Sequence, residues 1–129
     1  MDPAELWLWK WLPLGYAFTV AIELPILLIA LSRHHPISRR VFCGFWLTAC
    51  TYPVIILVMP QWFDLETQRG WYLVVAEIFA PLAECLIFTF AFKDVTKRDW
   101  GAIIVANLAS FGLGEVFHYF DVWSKLGLF

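Results

Sequence analysis

The chain has 129 residues, of which 61% are hydrophobic, 19% aromatic and only 16% charged, with a formal charge of -2. A soluble domain is about half apolar and about a quarter charged, so this composition cannot cover a water-exposed surface and points to a single membrane domain. It also lacks a basic face for nucleic acid, and its 3 cysteines, without a C-x-x-C pair, offer neither a disulfide framework nor a dithiol centre.

A bilayer core of about 30 Å needs about 20 apolar residues in a helix. Four runs meet that length: about 11–31, 41–59, 70–92 and 101–120. Ahead of the first, Trp7, Trp9 and Trp11 alternate, which predicts a short segment lying on the membrane surface. The first run is too long for a signal peptide, and no small-residue cleavage site precedes "SRHHPISRR". It carries Tyr16, Thr19 and Glu23 on one stripe, followed by Pro25.

The next loop, 32–40, holds His34 and His35 beside Arg33, Arg39 and Arg40. It reads as a wet basic loop near anionic lipid heads rather than a metal site. The second run places Gly44, Thr48, Thr51 and Ile55 on one face, with Pro53 in its middle, and the third does the same with Glu77, Pro81, Glu84 and Phe88. After the basic loop 93–100, the fourth run aligns Asn107, Ser110, Phe111, Gly114 and His118, with Glu115 at the edge of that face. Pro25, Pro53 and Pro81 are expected to kink their helices, and Gly44, Gly112 and Gly114 to admit close helix contacts. Cys43, Cys50 and Cys85 read as small buried apolar side chains.

Charge orients the chain. Arg33, Arg39, Arg40, Lys93, Lys97 and Arg98 lie in the two loops on one side, whereas Lys10, Arg69 and Lys125 lie on the other, among Asp2, Glu5, Asp64, Glu66 and Asp121. The excess of basic residues places loops 32–40 and 93–100 in the cytoplasm and both termini outside. Tryptophan favours the interfacial depth, and Trp62, Trp71 and Trp123 fall at the outer edge while Trp100 falls at the inner one.

The polar residues repeat. Glu23 in "AIELPILL" aligns with Glu84 in "LAECLIFT", and Thr48, Thr51, Tyr52 and Pro53 align with Asn107, Ser110, Phe111 and Gly112. The fold expected is therefore an all-α integral membrane bundle of four transmembrane helices. It is built as two similar hairpins related by a pseudo-twofold axis along the membrane normal, an arrangement transporters use.

Counting along each run puts Glu23, Glu84, Thr48, Thr51, Asn107 and Ser110 near mid-bilayer, and Glu77, Glu115 and His118 in a layer closer to the outer surface. Lipid offers no hydrogen-bond partner, so these faces should point inward. A charged side chain at a helix centre costs about 2.5–3.5 kcal/mol, and no basic residue lies within the runs to offset it. The carboxyl groups must then hold protons or bind a cation.

The expected function is that of a small transporter or binding protein coupling a proton, a metal cation or a small cationic solute at Glu23 and Glu84. Thr48, Thr51, Asn107 and Ser110 support that pair, and a cation site at Glu77, Glu115 and His118 is a further option. The alternative is a non-catalytic membrane subunit or assembly factor whose polar layer only specifies helix packing. No paired metal-ligand motif or catalytic triad supports an enzyme. The expected cofactor is at most a bound cation, with the metal left unspecified. The expected partners are the lipid bilayer and a second copy of the chain or a larger membrane complex.

Overall fold

The structure is a computed structural model and describes residues 3–127. Asp2 lies outside the described residues, as do the side chains of Glu5 and Trp123, so the expectations placed on those three lie outside them too. The chain folds as α1 (Pro3–Ala30), α2 (Ile37–Pro53), α3 (Arg69–Ala91), α4 (Lys97–Tyr119) and a short α5 (Val122–Lys125). Each of four segments is long and apolar enough to cross a membrane: Leu6–Ala30, Ile37–Gln61, Arg69–Ala91 and Lys97–Tyr119.

Burial is inverted relative to a soluble bundle. Ile29, Phe90, Ile78 and Val105 are exposed, whereas Glu23, Glu84, Thr48 and Thr51 are buried. Such a surface suits lipid, whose tails are as apolar as the side chains that face them. Trp62 and Trp71 are exposed at the end that carries the termini, and Trp100 at the opposite end.

The surface segment expected before the first span is not separate. α1 runs unbroken from Pro3. The alternation of tryptophans fits a helix as well, because Trp7 and Trp11 lie four apart and stack at 6.0 Å on one face, while Trp9 points outward.

α1 packs against α2 and α4, and α3 packs against the same two helices, so α1 and α3 face each other across the bundle. At Gly44 the α1–α2 contact is close: a Cβ there would meet the Leu24 Cα at 3.3 Å, so a side chain must push the helices apart. Gly112, by contrast, has nothing within 4 Å, which corrects its expected role as a contact point, and Gly114 meets only Phe18 at 3.9 Å. Gly44→Val should therefore lower stability by about 1–3 kcal/mol through overpacking. Gly112→Ala should be neutral or stabilising, because alanine favours a helix by about 0.8–1.0 kcal/mol. Thermal midpoints of the two variants in detergent check the contrast.

The prolines differ in effect. α1 and α3 continue through Pro25 and Pro81, but at Pro53 the α-ladder of α2 gives way to a π-helical stretch, Val54–Val58, and then a 3₁₀ turn, Met59–Gln61. Proline removes one donor and clashes with the carbonyl four residues back, and the wider ladder accommodates that. Met59 then donates to Val54 O, and Pro60 has no N–H for Ile55 O. The Tyr72 hydroxyl from α3 donates to Ile55 O instead, at 2.7 Å.

The two halves of the bundle are unlike. Towards the 31–36 loop the interior is solid, with Leu27, Leu31, Leu47, Phe88, Ile103 and Ala106 in one buried cluster. Towards the termini it is hollow.

Candidate functional site

Each long helix sends polar side chains to the boundary between the solid and hollow halves. Glu23 from α1 and Glu84 from α3 are each 2% exposed, and Thr48 and Thr51 from α2 and Asn107 from α4 are also buried. Ser110 is half-buried beside them. Steps of three, four and seven residues place these groups inward, and the facing positions of α1 and α3 aim the two carboxyl groups at the same space.

The local bonds are partly internal to each helix. Asn107 Nδ2 donates to Ile103 O at 2.9 Å and Ser110 Oγ donates to Asn107 O at 3.0 Å. The Thr51 hydroxyl lies 3.3 Å from both Leu47 O and Glu84 Oε2. Its single proton can serve only one of them, so when it turns to Leu47 O a protonated Glu84 can donate to the hydroxyl instead. Ser110 and Thr48 lie beside the Glu23 carboxyl group, and Asn107 lies beside that of Glu84.

Above this layer a cavity of about 520 Å³ extends to the end of the bundle that carries the termini. Glu23, Glu84, Thr48, Thr51, Asn107 and Ser110 all line its floor. Glu77, two turns along α3 from Glu84, lines its wall, and Glu77 Oε1 is buried without a hydrogen-bond partner. Aromatic rings from every long helix also line the wall: Trp11 and Phe18, Tyr52, Tyr72 and Phe111. Thr19 also faces the cavity, but Tyr16 leaves the stripe expected for it and donates to Phe45 O at 2.8 Å.

The outer layer divides. Glu115 does not join Glu77 and His118 as a ligand set; it forms a two-pronged ion pair with Arg69, at 2.9 and 3.3 Å, across the mouth of the cavity. The reading that no basic residue reaches the span carboxylates is thereby corrected for Glu115. Arg69 opens α3, and α3 and α4 are antiparallel neighbours, so the two residues meet although 46 positions separate them. His118 lines the same mouth and is exposed. Among the described residues, the one group of histidine, cysteine and acidic side chains close enough to hold a metal lies elsewhere, at His34, His35 and Asp99.

That cluster closes the opposite end, and here the wet-loop reading of His35 is overturned. His35 and Asp99 are both fully buried and meet at 3.0 Å. Arg39 donates to His35 Nδ1 at 3.1 Å, so Nε2 carries the proton and donates to Asp99. Asp99 also accepts the N–H of Ser32 at 2.8 Å and of Thr96 at 2.9 Å, the second as half of a capping box at the start of α4. With its acceptors filled and a guanidinium against the imidazole, this cluster is built as a structural latch, not a metal site. His34 stays exposed and bonds to Asp94 O.

The basic loop residues also have internal work. Arg40 donates to the carbonyls of Leu28, Arg33 and His35, and Arg98 to that of Ala30. The bonds to Leu28 and Ala30 satisfy carbonyls that the end of α1 leaves open, and those to Arg33 and His35 tie down the loop that follows. The T-x-x-D pattern at 96–99 was the sequence signal for the latch; nothing local pointed to His35 as its partner.

No protein-family model, curated protein or solved structure matches the chain.

Proposed function

We propose that the chain is a small multi-pass membrane transporter or binding protein in which Glu23 and Glu84 exchange a proton for a cation at mid-membrane. The observation that carries this reading is the cavity. A polar layer that only specified helix packing would be filled by its own partners, as the latch at the other end is. Here two buried carboxyl groups instead form the floor of an open space of about 520 Å³, with Glu77 Oε1 unpartnered beside it. Two buried carboxyl groups that share one cavity floor repel each other when ionised, so one proton is held until a cation replaces it.

On this reading the two hairpins are a duplicated unit. Support comes from the pairing of Glu23 with Glu84 and of Thr51 with Ser110 around one cavity, and from the diagonal placement of α1 and α3. Pro53, whose counterpart Gly112 sits in unbroken helix, is where the halves diverge. A homo-oligomer or larger complex belongs to the same proposal, with the exposed apolar belt as its contact surface.

The cavity would open outside and the latch would face the cytoplasm. In a background with Cys43, Cys50 and Cys85 replaced, a cysteine at Thr67 should react with an impermeant maleimide in intact cells, and one at Ser38 should not. The reverse pattern would invert the orientation. The proton exchange is tested by infrared difference spectroscopy of the carboxyl bands as pH and cations are varied, comparing the wild type with the Glu23→Gln/Glu84→Gln double variant.

A further inference from the structure

Resting on that reading, we infer that the cavity takes a small organic ammonium ion, its charged nitrogen against Glu23 and Glu84 and its apolar body within the aromatic wall. The cavity is far larger than the coupling alone requires. A proton needs no space, and an inorganic cation needs a tight shell of oxygens, six to eight for calcium and near-octahedral for magnesium, at about 2.0–2.6 Å. Here the carboxyl oxygens are spread from the floor to Glu77 on the wall and Glu115 at the mouth rather than gathered into one shell, and the rings of Trp11, Phe18, Tyr52, Tyr72 and Phe111 line the space between.

A volume of about 520 Å³ falls within the range of small-molecule pockets, about 300–1,000 Å³, in which apolar walls carry a few placed polar groups. Aromatic faces attract cations through the ring quadrupole, and carboxylates supply the charge, so the two parts of the site select the same chemistry. Glu77 Oε1, buried and unpartnered one layer above the floor, offers an acceptor for an ammonium N–H on its way in. The exchange balances: one monovalent ammonium enters and one proton leaves the glutamate pair.

The test uses the full chain purified in detergent, with 2-phenylethylammonium as the probe and 2-phenylethanol as its uncharged counterpart of the same shape. Binding is read by calorimetry and proton release by a pH indicator. The ammonium should bind saturably and release close to one proton, and the alcohol should do neither. Trp11→Leu and Phe111→Leu should each weaken ammonium binding about tenfold, as expected for losing one face of a cation cage. Their carboxyl bands should still titrate as in the wild type. Circular dichroism and gel filtration confirm folding; if one variant fails to fold, the other carries the comparison.

Several results would overturn the inference: equal binding of the alcohol, ammonium binding that survives Glu23→Gln/Glu84→Gln, or full affinity in both aromatic variants. Proton release driven only by sodium, magnesium or zinc would also overturn it, yet leave the proton-for-cation reading standing. If no cation of either kind releases a proton, both readings fall together.

Discussion

Replacing both Glu23 and Glu84 by glutamine is expected to leave the bundle folded and to abolish cation-driven proton release. Glutamine matches a protonated glutamic acid in size and keeps a carbonyl acceptor and a donor, so Thr51, Ser110 and Asn107 retain partners. Helix content and thermal midpoint should therefore stay close to wild type, within the roughly 0.5 kcal/mol typical of substitutions that leave no buried group unpaired. The proton count should fall from about one per chain to none, because no carboxyl group remains on the cavity floor.

The wild type should also show a defined pH dependence. Wherever the bound cation displaces a proton, raising the pH removes a competitor, so affinity should rise by up to about tenfold per pH unit. The double variant should lose that slope. Full proton release from the double variant would remove Glu23 and Glu84 from the mechanism. A double variant that unfolds, beside a wild type whose carboxyl bands never respond to pH or cations, would favour the packing role.

Asp99→Ala is expected to be the most destabilising single substitution at the closed end. It removes the acceptor of two backbone N–H groups and of His35 Nε2, all inside the latch. Breaking a buried pair by deleting one partner costs about 3–5 kcal/mol, and the substitution also removes the Asp99 half of the capping box while Thr96 keeps the other half. In lipid the hydrophobic effect does not hold helices together, so packing and polar bonds of this kind carry more of the load.

His35→Phe should cost less than Asp99→Ala. Its ring can keep the edge-on contact that His35 makes with Phe88, at 5.3 Å between centroids, while Ser32 and Thr96 still bond Asp99. Thermal unfolding in detergent ranks the two variants, and limited proteolysis of the 31–36 loop reports whether the latch opens first. A loss below about 1 kcal/mol for Asp99→Ala would show that the latch does not hold the end closed.

Much of the architecture was determined by the sequence alone, because the length and apolarity of four runs are set by the bilayer and need no tertiary information. The inward faces were legible for a related reason. Lipid penalises a polar group so strongly that Glu23, Thr48, Thr51, Glu84 and Asn107 could be placed inside from helical periodicity. Periodicity fixes a direction around one helix, but not what that direction meets. Only the tertiary structure decided that the polar layer floors a cavity, because a void depends on how four helices splay and on the bulk of Trp11, Tyr52 and Phe111 together.

Long-range pairing lay beyond the sequence for the same reason. Arg69 and Glu115 are 46 residues apart, and His35 and Asp99 are 64 apart, so no local pattern links them. His35 reads as a wet loop residue because arginines surround it in sequence, yet within its loop it is buried. Folding turns Arg39 and Arg40 inward onto an imidazole and onto open carbonyls, and a charge run that reads as wet becomes the closed end of the bundle.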